Sequence, residues 1–103
     1  MNAQTKKQMI PNVEVAMAIA GRMRQPSVQD RIALGRIALA VLKQVEPKNG
    51  EAKQVEMAAY LLARVLAREY ANPEKSKEAA IVATELRSFA MGMKPMVDTL
   101  CLS

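Results

Sequence analysis

The chain has 103 residues, of which 50% are hydrophobic but only 3% aromatic, and its formal net charge is +5. This length suits one domain, and a core with so few aromatic residues must be filled by aliphatic side chains and by the eight methionines, which favours helices over sheets. The single cysteine, Cys101, leaves no partner for an internal disulfide and makes a reducing, cytoplasmic setting the expectation. The most apolar segment is too short and too charged to span a bilayer, so we expect no membrane partner.

The residue inventory argues against an enzyme. The chain has no histidine, which is the commonest general base and metal ligand. Its four glycines never cluster into a phosphate-binding loop, and its scattered carboxylates have no metal-ligand spacing. We therefore predict no catalytic residue, no metal site and no cofactor.

The positive charge is unevenly distributed along the sequence. Up to Lys43 there are seven basic and two acidic residues, whereas from Gln44 onward eight basic residues meet eight acidic ones. An excess of this kind suits an acidic protein surface or nucleic acid.

Prolines divide the chain into helical segments. Residues 1–10 lack apolar periodicity and are expected to form a flexible basic arm, followed by a single helical domain over 11–103. Within it we predict four helices and a short apolar turn, at about 11–24, 27–45, 51–70, 73–93 and 95–102. Loops of a few residues make consecutive helices antiparallel, so the predicted fold class is all-α, a compact four-helix bundle.

The second helix is expected to be buried almost completely. At 100° per residue, the apolar residues between Val28 and Val45 cover an arc of roughly 220°, which Ile37 widens on one side. Ser27, with Asp30 three residues later, predicts the N-cap of this helix. The first helix is also apolar on two faces, Met17 lying on its inner face and Val15 with Ile19 opposite, so we expect it to be covered twice.

The third and fourth helices each have one clear inward face. Val55, Ala58, Ala59, Leu62, Val65 and Leu66 form the stripe of the third helix, and Ala79, Val82, Ala83, Leu86, Phe89, Ala90 and Met93 that of the fourth. Asn72-Pro73 predicts a cap with proline at the first helical position, and Lys94-Pro95 predicts the end of the fourth helix.

A basic surface on the third helix is the sharpest candidate for partner binding. Opposite the core stripe the sequence places a line of basic, methionine and tyrosine side chains without an acid, whereas a solvated face usually mixes both signs. Tyrosine and arginine are enriched at binding hot spots, and methionine adapts to irregular partners. Two outward cations of the second helix, Arg36 and Lys43, are added to this surface. The predicted partner-binding residues are therefore Lys53, Met57, Tyr60, Arg64, Arg68, Arg36 and Lys43.

Two further groups of residues are candidates for contacts with other molecules. Contacts with phosphates or with an acidic surface are predicted for Lys6, Lys7, Arg22, Arg24 and Arg31. Contacts between copies of the chain are predicted for the apolar residues of the polar side of the fourth helix and of the tail: Ile81, Met91, Met96, Val97 and Leu100.

We therefore predict a non-enzymatic binding module, an adaptor or inhibitor that docks an acidic protein surface. Its size and adaptable methionines suit a regulator that occupies a partner's surface, of the kind that phages and other mobile elements use against host machinery. A basic protein that contacts nucleic-acid phosphates without sequence preference is one alternative. A structural subunit of a homo-oligomer is the other.

Overall fold

Four α-helices and one 3-10 helix make up the computed structural model, and the part of the chain that it describes contains no β-strand. It describes the backbone of residues 9–46, 48 and 50–102, and the side chains of these residues as far as Met93. The helices are α1 (Pro11–Met23), α2 (Arg31–Lys43), α3 (Glu51–Leu66) and α4 (Ser76–Leu102), and the 3-10 helix (Ala67–Ala71) follows α3 directly.

The helices run up and down in a bundle. Asn12, at the start of α1, donates a side-chain hydrogen bond to the carbonyl oxygen of Val41, near the end of α2. Arg31, at the start of α2, contacts both Met23 at the end of α1 and Glu69 beyond the end of α3. Each of these pairs joins the beginning of one helix to the end of another, so α2 is antiparallel to α1 and to α3. The predicted all-α four-helix bundle is confirmed.

The inward stripes of α3 and α4 form the centre of the core. All six residues predicted for α3 are buried, and of those predicted for α4 only Phe89 and Met93 are partly exposed. Gly35 of α2 lets that helix approach α3, since a Cβ atom there would lie 3.0 Å from a methyl carbon of Leu66.

Helix α2 begins later and is less enclosed than the sequence predicted. Asp30, not Ser27, is its N-cap, with the Asp30 carboxylate accepting from the backbone N–H of Ala33 at 3.4 Å. The negative charge of a carboxylate at this position is also stabilised by the positive end of the helix dipole. On the Ile37 side of the helix Leu34 is half-buried against the edge of the core, and Ile37 is 53% exposed. The predicted arc was therefore too wide on the Ile37 side.

The expectation that α1 is covered on both sides was also wrong. Val13, Ala16, Ala20 and Met23 are buried. Val15 and Met17 are exposed and Ile19 is half-buried, since α1 has helical neighbours on one side only.

The boundaries of the last two helices differ from the prediction as well. The chain leaves α-helical geometry after Leu66 and continues as the 3-10 helix. Helix α4 begins at Ser76 rather than Pro73, after a turn in which the Asn72 side chain accepts from the backbone N–H of Glu74 at 3.0 Å. Pro95 does not end α4, which continues to Leu102. A proline within a helix removes one backbone hydrogen bond but leaves the following turns able to form.

Alanine rather than methionine fills much of the core. Among the methionines with described side chains only Met23 is buried, while Met9, Met17, Met57 and Met91 are exposed. The predicted filling of the core by methionine is thus wrong for most of them. Small side chains let the helices pack closely and leave the longer, flexible ones outside.

Candidate functional site

The turn between α1 and α2 is held by a partly buried arginine. Arg31 donates from Nε to the carbonyl oxygen of Met23 at 2.6 Å and from one terminal nitrogen to that of Gln25 at 3.0 Å. Its other terminal nitrogen donates to Oε2 of Glu69 at 2.7 Å. The two side chains are only 14% and 7% exposed. The sequence made Arg31 a candidate for external phosphate contact, but three internal hydrogen bonds give it a structural role.

Two more cations reach the same turn. Arg68 donates to the carbonyl oxygen of Arg24 at 2.8 Å, and the ammonium group of Lys75 donates to that of Gln29. The last carbonyl groups of a helix lack partners within the helix and carry partial negative charge, so cations are favourable there. Arg68 therefore stabilises the end of α1, while Lys75 holds the segment just before α2.

A groove of about 530 Å³ lies between α1 and α3, open to solvent. Nine side chains of the described residues line it: Met9, Val13, Met17, Gln54, Met57, Ala58, Tyr60, Leu61 and Arg64. The lining residues on α3 extend from Gln54 to Arg64, about 15 Å along the helix axis at 1.5 Å per residue. Most of the lining is apolar, and none of it is acidic.

The two ends of the groove differ in their polar groups. At one end, the side-chain oxygen of Gln54 accepts from the backbone N–H of Ile10 at 2.9 Å, which ties the start of α1 to α3. Residues 9 and 10, which the sequence assigned to a flexible arm, are thus attached to the bundle. At the other end, Arg64 is exposed and has no hydrogen-bond or ion-pair partner among the described residues. Arg64 therefore places a free positive charge beside an apolar surface.

The structure divides the basic surface that the sequence predicted on α3. Met57, Tyr60 and Arg64 line the groove, with Met57 60% exposed and Tyr60 half-buried. Lys53 does not line it and lies 3.8 Å from Oε1 of Glu56, so the predicted absence of acids next to this surface does not hold at its start. The side chain of Arg68 donates instead to the α1–α2 turn.

The other predicted contact residues are spread over the surface. Arg36 is exposed and pairs with Oε2 of Glu78 at 2.8 Å. Arg22, Arg24 and Lys43 are exposed, whereas Lys6 and Lys7 lie outside the described residues.

The predicted oligomer contacts are described only in part. Ile81 and Met91 are exposed on α4, as the sequence indicated. Met96, Val97 and Leu100 belong to the last turns of α4 by their backbone, and their side chains fall outside what the structure describes.

The sequence did not identify the contribution of α1 to the groove. Met9 was assigned to the arm, Val13 to the core, and Met17 to the inner face of the first helix. An available signal was the recurrence of these residues every four positions, which places them on one line of a helix.

Neither chemistry nor similarity narrows the function further. Within the described part of the chain no three acidic or cysteine side chains come together in a way that could hold a metal ion. The helices, over the same residues, include none with the length and hydropathy needed to cross a membrane. Comparisons with protein families, with curated proteins and with solved structures find no match for this chain.

Proposed function

We propose that this protein is a non-enzymatic binding module, an adaptor or inhibitor, that docks an acidic protein surface through the groove between α1 and α3. The observation that carries the proposal is a solvent-open apolar groove next to the guanidinium of Arg64, which has no partner among the described residues. We place its action in the cytoplasm, in keeping with a chain that has one cysteine.

The methionines support this choice of surface. Met9, Met17 and Met57 are exposed side by side around the groove, although the core is otherwise well filled. Exposed apolar side chains that are grouped mark interaction sites more often than scattered ones do. Methionine is flexible and polarizable, and it is common on surfaces that adapt to their partners.

The hydrogen bonds of the basic residues count against nucleic acid as the favoured partner. Arg31 and Arg68 donate to atoms of the protein itself, and Arg36 is paired with Glu78. Phosphate binding without sequence preference depends on the number of cations that reach the backbone of the nucleic acid. These three side chains are therefore less available to phosphates than their charges alone suggest.

The experiment compares groove variants with matched variants elsewhere. Met57→Glu and Arg64→Glu alter the groove, while Met91→Glu and Arg87→Glu make the same changes on exposed positions of α4. Cells that naturally carry this protein are used for affinity purification with tagged wild type and each variant. We expect one partner to be recovered with the wild type and both α4 variants and lost with both groove variants. Equal recovery with all five proteins contradicts the proposal.

Nucleic acid is tested in parallel with the same proteins. Fluorescence anisotropy measures binding to random duplex and single-stranded DNA and RNA at low ionic strength. Tight, salt-dependent binding by the wild type, unchanged by Met57→Glu, would favour the nucleic-acid alternative.

A homo-oligomer is a second candidate because two large apolar side chains are exposed on the outer side of α4. Ile81 and Met91 are 51% and 62% exposed. Sedimentation velocity of the wild type and of Ile81→Glu and Met91→Glu tests this candidate. A concentration-dependent dimer that both substitutions convert to a monomer supports it, and a monomeric wild type refutes it.

A further inference from the structure

The shape and backbone chemistry of the groove restrict what can occupy it. Its walls are α3 and α1, with Met9 just before α1, and beyond the first turn of α1 the backbone N–H and C=O groups along the lining are used within the helices. An extended peptide binds by adding main-chain hydrogen bonds to a sheet edge, and these walls provide no such edge. Its own N–H and C=O groups would lose water without gaining partners, which is costly.

A helix satisfies its own backbone groups and can bury one apolar face against the two walls. A lining of about 15 Å corresponds to nearly three helical turns. Apolar side chains at positions i, i+3 or i+4, and i+7 of a partner helix would extend over this length. The occupant would therefore be added to the bundle as a helix between α1 and α3.

The positive charge of Arg64 at one end of the groove determines which residues are favourable on the flank of the partner helix. Arg64 has no partner among the described residues, and no acidic side chain lines the groove. A carboxylate of the partner placed near Arg64 would pair with it, while a lysine there would be repelled. Charge complementarity thus favours an acidic amphipathic helix.

We infer that the groove between α1 and α3 binds one amphipathic helix of another protein, with its apolar face on Met9, Met17 and Met57 and an aspartate or glutamate beside Arg64. This inference rests on the proposed function and specifies the partner for the same surface.

The probe is a displayed library of helical peptides. Each peptide has about 16 residues, because shorter isolated helices are marginal in water, and carries a side-chain cross-link that keeps it helical. Positions i, i+3, i+4, i+7 and the two flanks are randomised, and selection uses the wild-type protein. We expect selected sequences to be apolar at the spaced positions and acidic at one flank.

Methyl NMR of protein labelled at methionine methyl groups maps where a selected peptide binds. The signals of Met9, Met17 and Met57 should shift on titration, and that of Met91 should not. Arg64→Glu should weaken binding by about tenfold or more, and a peptide with lysine at the acidic flank should bind this variant better than the wild type. Circular dichroism checks that the variant keeps its helices.

The remaining outcomes distinguish a failure of the inferred helical partner from a failure of the proposed function. If a proline-interrupted peptide of the same composition binds the groove as tightly, the helical partner is wrong but the acidic docking surface stands. If selection yields peptides without an acid, or binding survives both Met57→Glu and Arg64→Glu, the proposed function fails as well. If shifts concentrate at Met91, or no peptide is selected, the groove is not a helix-binding site.

Discussion

Replacing Arg31 with methionine is expected to lower the free energy of unfolding by about 3 kcal/mol. Methionine keeps most of the apolar stem but removes every donor. Glu69, only 7% exposed on its side chain, would lose the ion pair that joins the two groups at 2.7 Å. Breaking a fully buried pair costs about 3–5 kcal/mol, and the 14% exposure of the Arg31 side chain places this pair near the low end of that range. The carbonyl groups of Met23 and Gln25 lie at the turn, where water can replace part of what they lose.

Urea unfolding followed by circular dichroism at the helical band measures this cost. A double-mutant cycle with Glu69→Gln separates the ion pair from the carbonyl contacts, and we expect a coupling energy of about 1–2 kcal/mol between the two positions. Arg31→Lys is the control for charge alone: it should recover less than half of the loss, because an ammonium group cannot match the fork geometry of a guanidinium. A cost below about 1 kcal/mol for Arg31→Met, with no coupling to Glu69, would refute the structural role assigned to this arginine.

Three further substitutions test the packing and the surface of the bundle in the same unfolding assay. Gly21→Ala should stabilise the protein by about 0.5–1 kcal/mol, because glycine lies inside α1 with open space where the Cβ atom would be added. Gly35→Ala should not give this gain, since the new Cβ atom would lie 3.0 Å from a methyl carbon of the fully buried Leu66; an equal gain at both positions would contradict the tight α2–α3 contact. Arg36→Ala should cost less than about 0.5 kcal/mol, and less again at high salt, because both members of the Arg36–Glu78 pair are about half exposed. A cost that persists in high salt would argue against a screened surface pair.

Where the sequence pattern has one face, it predicted the structure well. Leu62 and Leu66 of α3, and Val82 and Leu86 of α4, are buried as their spacing indicated. Each of these helices places its apolar residues on one stripe, so that only one orientation buries them.

Where a helix is apolar on two sides, the sequence could not show which side is covered. Val15 of α1 and Ile37 of α2 lie on apolar positions that the pattern assigned to the interior, yet both are exposed. The sequence pattern indicates that a position is apolar, but the number of neighbouring helices decides whether its side chain is buried. A four-helix arrangement supplies α1 with neighbours along one side only, and this follows from tertiary packing rather than from local pattern.

The sequence predicted only the part of the candidate site that lies on α3, for a related reason. Met57 and Arg64 were identified because they lie on a single helix, where spacing alone brings them together. Met17 lies on α1 and Met9 just before it, and both reach the groove through the packing of α1 on α3, which the spacing along one segment does not determine. Arg68 had the right spacing but a carbonyl acceptor within reach, so the fold uses it elsewhere.

The distribution of alanine and methionine links the stability of this bundle to its proposed activity. Ten of the buried hydrophobic side chains in the described part of the core are alanine, which lets helices approach closely at little cost in side-chain entropy. Close packing of small residues leaves little interior room for the long side chains of Met9, Met17 and Met57, which line the groove instead. If methionine served only to fill space, Met57→Gln should leave both stability and partner binding unchanged. If Met57 contacts the partner, the same substitution leaves the free energy of unfolding within about 0.5 kcal/mol but weakens the partner complex. Measuring both quantities on one variant separates the two roles.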